Sequence, residues 1–192
     1  VRQVVAASSY FVLGIGFRVS GRSFIPDYLP MDENHSCKPE DTYSLSKVLG
    51  EEIQMAYARA YGIRSVALRL MGVFYPDSEM HRKVYQFNLD VPRRTDAEKA
   101  WMDNTTFQYV DARDVARVVE LSIEAQGLEP FEAFYIATDT MYAQPTVEII
   151  AHHWPGLKEK GAGIKGTDGV ISIEKARTKL KYEPRFSWRN GA

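Results

Sequence analysis

Thr42-Tyr43-Ser44-Leu45-Ser46-Lys47-Val48-Leu49-Gly50-Glu51-Glu52-Ile53, running on to Tyr61 and Gly62, is the stretch on which the reading of this chain turns. Leu45, Val48, Leu49, Ile53, Ala56 and Ala60 recur at helical spacing, which predicts a helix over Thr42–Tyr61 with one buried apolar stripe. Gly62 is placed to end it as a C-cap. Tyr43 and Lys47 stand one helical turn apart, so a phenol and an ammonium share a face. A phenol is a weak base at neutral pH, and a neighbouring cation favours its charged form. With a serine hydroxyl to hold an oxygen in register, such a pair can move a proton on or off an alcohol.

Reading outward, residues 2–8 form a short buried strand that ends in the serine pair Ser8-Ser9. A long loop follows, punctuated by Gly14, Gly16, Gly21, Pro26, Pro30 and Pro39. Beyond Gly62, residues 63–70 read as a second buried strand, and a helix and strand joined so tightly indicate a parallel α/β sheet. Further strands are expected at 106–110 and 133–137, and helices at 111–126, 146–153 and 173–180. Val115, Val118, Val119, Ser122 and Ile123 share a face of the second helix, and Phe131, Phe134 and Tyr135 read as core. Residues 76–106 are polar and irregular, the best candidate for a segment that covers substrate.

The 192 residues suffice for a buried core, and 24 basic against 25 acidic side chains give a net charge of −1. No basic stripe points to nucleic acid, and no apolar run reaches the roughly 18 residues of a membrane span. Cys37 is the sole cysteine, which excludes an intrachain disulfide and makes the cytoplasm the expected compartment. His35 and Cys37 flank Ser36 without a second ligand pair at metal spacing, so no zinc site is expected; His152 and His153 read as surface. Gly161-Ala162-Gly163-Ile164-Lys165-Gly166 matches a dinucleotide fingerprint in letters only. No strand precedes it, so a flexible loop is expected.

In this order the pieces resemble the extended short-chain dehydrogenase/reductase superfamily, and within it the NAD-dependent epimerase/dehydratase family. The resemblance rests on Val4–Ser9 followed by Gly14, on Tyr43-x-x-x-Lys47, on Leu68–Pro76, on Tyr109–Ala116, and on Ser172–Arg177 with Leu180 and Pro184. It implies an α/β fold, a Rossmann-like doubly wound parallel sheet with a small C-terminal substrate-binding region. Residues 1–75 would be the C-terminal half of the dinucleotide-binding domain. Residues 76–192 would be a mixed substrate-binding region, with Rossmann elements returning at about 106–140. The family's opening Gly-rich strand–turn–helix, which holds the cofactor pyrophosphate, does not stand among these residues. The chain is therefore expected to be the later part of a longer enzyme, poorly soluble or obligately associated when alone, because an uncovered strand edge seeks a partner.

The resemblance also implies roles. Ser9, rather than Ser8, would hydrogen-bond the substrate oxygen, and Tyr43 would be the general base or acid. Lys47 would favour its phenolate and hold the nicotinamide ribose, Ser8 would line the cofactor, and Met71 would lie beside the nicotinamide. Gly72 and Tyr75 replace the usual asparagine and glycine of that wall. Asp114 would hold local backbone donors. The cofactor would be NAD or NADP, and the partners a small-molecule substrate and a second copy joined through the Tyr43–Lys47 helix. Tyr10 and Phe11 stand where sugar dehydratases carry an acidic pair, which argues against water elimination. Phe107 stands where many nucleotide-sugar epimerases carry a phosphate-binding arginine. The resulting expectation is hydride transfer at a carbinol of a sugar, sugar acid or similar hydroxy or carbonyl compound. Nucleotide-sugar epimerisation and a non-catalytic remnant or partner subunit are the alternatives.

Overall fold

The computed structural model describes residues 1–76, Glu79 and 106–190. Three parallel strands form its main sheet in the order β1 (Gln3–Ser9), β2 (Arg64–Leu70), β5 (Phe131–Ile136). Gln3 is in register with Arg64, and Ser65 with Phe131. A second parallel pair joins β3 (Gly72–Phe74) to β4 (Tyr109–Asp111). Helix α1 (Thr42–Tyr61) connects β1 to β2, α2 (Ala112–Glu124) follows β4, and α3 (Thr146–His153) and α4 (Glu174–Leu180) complete the chain. Parallel strands separated by crossover helices are the Rossmann-like arrangement expected from the sequence. The expected order of elements survives, with boundary shifts of one to three residues, the largest at the start of β4.

Val66, Leu68, Phe134, Tyr135 and Ile136 are buried along β2 and β5, as a central parallel sheet requires. Asp41 caps α1 by accepting the Ser44 N–H at 2.9 Å, and Gly62 closes it at φ 64°. The face that α1 buries is not the expected one. Ser44, Glu51 and Ala58 turn inward, while Leu45, Leu49 and Ile53 are about half exposed. The reason is a set of buried polar partners: Arg69 on β2 and Ser8 on β1 both reach Glu51, and an apolar residue there would strand them.

The free edge of β5 is closed by side chains. Glu33 accepts the Tyr135 N–H at 2.8 Å, and Lys175 donates to the Ala133 carbonyl at 2.9 Å. Among the described residues β1 pairs with β2 alone, so its outer edge is open. The segment 161–166 departs from the expected flexible loop. It begins in a 3-10 turn over Lys160–Gly163, where a Cβ on Gly161 would lie 2.7 Å from Ile150. His153 also departs from its expected surface position: its ring lies tilted against buried Phe107, with ring centres 5.0 Å apart. Of the polar stretch 76–106, residues 77, 78 and 80–105 lie outside the described residues.

Asp114 has a structural role, although its partners are distant in sequence. Its carboxylate accepts the N–H groups of Arg185 at 3.0 Å and Phe186 at 3.1 Å, fastening the C-terminal segment to α2. Glu132 fastens α4 to β5, pairing with Lys175 at 2.9 Å and with Lys179. Burial works against the Glu132 carboxylate, and hydrogen bonds from Lys179 and Lys175 outweigh it, so its pKa lies below the ordinary range. A depressed pKa contributes stability above the unfolded value, about 4.3, and that stability disappears as pH falls through the folded value. Glu132→Gln should therefore melt below the parent at pH 7, with the gap closing in acid; a gap constant down to pH 3 would contradict the pairing.

Candidate active site

The end of β1 carries Ala7, Ser8 and Ser9, and the chain then turns through a 3-10 helix at Tyr10–Leu13. Ser9 caps this turn, its Oγ accepting the Phe11 N–H at 3.2 Å. That bond orients the oxygen and uses none of its capacity to donate. Gly14 ends the turn at φ 86°, and a Cβ there would lie 1.9 Å from the Lys38 carbonyl oxygen, so only glycine fits.

Opposite the turn lies the first turn and a half of α1. Tyr43 is 45% exposed, and its ring meets Phe11 edge-on at 5.9 Å. Lys47 donates to the Ala7 carbonyl at 3.0 Å, and its Nζ stands 5.4 Å from the centre of the Tyr43 ring. Ser8, Ser9, Tyr43, Lys47 and Met71 all line one cavity of about 440 Å³. The residues singled out from sequence thus come together, although Ser8 turns its hydroxyl away to donate to Glu51 at 2.6 Å. Burial pushes the phenol of Tyr10, another lining residue, well above its ordinary pKa, and neighbouring Tyr43 adds to this. Tyr10 therefore faces the site as a neutral phenol.

Sequence reasoning missed Phe11, Leu70 and Val73 among the residues lining this cavity, whereas Phe17 is, with Phe24 and Tyr28, one of the aromatics of the 15–40 loop expected in a substrate wall. Phe11 and Phe17 meet at 5.7 Å, a contact within a loop that no periodicity announces. Phe24, expected with Phe17 in a substrate wall, is instead buried, with its carbonyl accepting the Trp154 indole N–H. A second cavity of about 450 Å³ is lined by Gln108, Asp139, Asp168, Arg177 and Arg189 among others, with Arg189 paired to Asp139 at 2.7 Å. Phe107 lies in the core, against Tyr142 and Trp154, with φ 61°. Among the described residues no cluster of three or more His, Cys, Asp or Glu could hold a metal, and no helix is long and apolar enough to cross a membrane.

A family model for the NAD dependent epimerase/dehydratase family matches residues 2–137. The chain belongs to the NAD-dependent epimerase/dehydratase family. A Methanocaldococcus jannaschii protein provisionally named UDP-glucose 4-epimerase is 36% identical over 174 residues, 86% of this chain and 55% of that protein. The chain thus spans about half the length of that relative. The UDP-glucose 4-epimerase of Thermotoga maritima, solved with UDP-glucose, shares the fold with a TM-score of 0.60 at 18% identity. That match covers 100% of this chain and 61% of the other. An Agrobacterium tumefaciens short-chain dehydrogenase/reductase superfamily protein, solved with bound NAD, gives a TM-score of 0.59 at 20% identity, covering 98% and 64%.

NAD or NADP is the cofactor of this family, and the epimerase/dehydratase cavity fits its nicotinamide end. Lys47 keeps N–H donors beyond the one given to Ala7, and Met71 forms part of the wall.

Proposed function

We propose that this chain carries the proton-handling site of an NAD(P)-dependent oxidoreductase that works at a carbinol of a sugar or sugar-like substrate. The observation that supports it is the convergence of Ser9, Tyr43, Lys47 and Met71 on one cavity. The nicotinamide, when bound, supplies the redox chemistry by accepting the carbinol hydrogen with its electron pair. Tyr43 takes the hydroxyl proton as that hydrogen departs, so no alkoxide accumulates, and returns it in the reverse direction. Ser9 donates to the reacting oxygen. Lys47 sets a positive charge beside the phenol and holds the ribose hydroxyls. Phe11 and Phe17 keep water from the reacting carbon.

A second reading, epimerisation of a nucleotide sugar, is favoured by the 36% identical relative. Burial of Phe107 removes that position from phosphate binding, and Arg177 and Arg189 of the second cavity are paired with Glu183 and Asp139, which weighs against this reading. One experiment separates the readings. The protein as its source makes it is given NAD or NADP with UDP-glucose, UDP-galactose, free aldoses and sugar acids. Net absorbance at 340 nm selects dehydrogenation, and interconversion of the UDP-sugars without it selects epimerisation. Neither, in protein that binds the nucleotide, overturns both.

The exposed residues Leu45, Leu49, Ile53, Tyr57 and Tyr61 repeat every four positions along α1, forming a ridge suited to helix packing. This ridge is the face on which a second copy docks. Ile53→Glu should convert a dimer to a monomer by light scattering; a dimer that persists would place the interface elsewhere.

A further inference from the structure

Beneath the cavity lies a buried polar chain that the chemistry above does not use. Tyr43, Lys47 and Glu51 follow at four-residue steps on α1, so Glu51 sits about 12 Å below Tyr43 on the same side of the helix. Its carboxylate is gripped by Arg69 of β2, with Nε to Oε1 at 3.0 Å and Nη2 to Oε2 at 2.8 Å. Oε1 also accepts the Ser8 hydroxyl at 2.6 Å. Arg69 is in turn fixed by the Tyr135 hydroxyl of β5 at 3.3 Å. Ser8 immediately precedes Ser9, and Glu51 is one turn from Lys47.

We infer that Glu51, held by Arg69, is a positioning residue: through Ser8 it sets the distance between Ser9 and the Tyr43–Lys47 pair. This rests on the function proposed above. Two bonds tie α1 to the end of β1. The other, from Lys47 to the Ala7 carbonyl, belongs to a group that must also serve the ribose. The Ser8–Glu51 bond makes no such demand on a reacting group and stays in place while Lys47 works. A carboxylate is required, because only a charged acceptor can hold the guanidinium fork and a hydroxyl together. A displacement of about 1 Å at such a site is enough to slow turnover a hundredfold.

Ser8→Ala is the test, since it cuts this tie and leaves the Glu51–Arg69 pair intact. It is made in the protein as its source produces it, with Ser8→Thr to restore the hydroxyl. Expected is a fall in kcat of roughly 10- to 100-fold with KM for the nicotinamide nucleotide within about twofold. Ser8→Thr should recover most of it. Independently of turnover, hydrogen exchange should quicken at the Phe11 amide and in the first turns of α1 while β2 and β5 stay protected. Cys37 reports on the pair itself, its sulfur lying 3.8 Å from Arg69 Nη2. Glu51→Gln should raise its reactivity with a thiol reagent roughly threefold or more, because the freed guanidinium favours the thiolate, and Ser8→Ala should leave it unchanged.

Unchanged exchange in Ser8→Ala overturns the proposal whatever the turnover. So does unchanged kcat with raised KM, which would return Ser8 to the cofactor contact expected from sequence. Quickened exchange in a protein whose parent shows no turnover leaves the tie standing and refutes the enzymatic reading instead.

Discussion

Glu51→Ala is expected to lower the unfolding free energy by about 3–5 kcal/mol, the largest stability effect of any single substitution considered for this chain. The side chains of Glu51 and Arg69 are only 7% and 8% exposed, so removing the carboxylate leaves a guanidinium buried without its counter-charge. The Ser8 hydroxyl loses its acceptor as well. Burial works against the charge of Arg69, and the carboxylate outweighs it, so Arg69 holds its proton more firmly than an ordinary arginine. With unfolding free energies typically of about 5–15 kcal/mol, such a loss is a large share of the whole. The double variant Glu51→Met with Arg69→Met should be much closer to the parent, since replacing both ions with apolar groups removes the desolvation cost along with the attraction. Urea unfolding of Glu51→Met, Arg69→Met and the double checks this. A loss in the double variant equal to the sum of the two single losses would show that the pair is not coupled.

Tyr43→Phe is expected to lower turnover by about 10²–10⁴-fold, the contribution a positioned acid or base makes, with little change in stability or in nucleotide binding. The ring remains to meet Phe11, and 45% exposure means the hydroxyl carries little of the folding energy. Steady-state kinetics beside a thermal melt separate the two effects. Full turnover in Tyr43→Phe would remove the phenol from the chemistry. A collapse of the melt would show that the residue is structural.

Much of this architecture is legible in the sequence because it is local. The Tyr43–Lys47 spacing, the Asp41 and Gly62 caps and the short apolar strands each need only a few neighbouring residues to read. What escaped depends on contacts between distant segments. Periodicity found the apolar stripe of α1 but not the direction it faces. That direction is set by Arg69, 18 residues beyond Glu51, and by Ser8, 43 residues before it. Asp114 reads as a local cap, while its partners at Arg185 and Phe186 lie more than 70 residues on. Phe107 reads as a blunted phosphate site, and its burial against Tyr142 and Trp154 gives it a packing role that no window of sequence contains. Within the site, Ser9 needed the family resemblance and Phe11 needed the fold; of the loop aromatics expected in a substrate wall, Phe17 lines the cavity while Phe24 is buried elsewhere, since a loop aromatic carries no signal of what it will face.

The central claim is that the cavity between Ser9, Tyr43, Lys47 and Met71 receives the nicotinamide, and a crystal structure of the protein as its source makes it, with NAD or NADP bound, tests it most directly. The nicotinamide ring is expected against Met71, with Lys47 Nζ within about 3.2 Å of a ribose hydroxyl and the Tyr43 hydroxyl facing the reactive carbon. A nicotinamide seated outside this cavity, with Lys47 still spent on the Ala7 carbonyl alone, would contradict it.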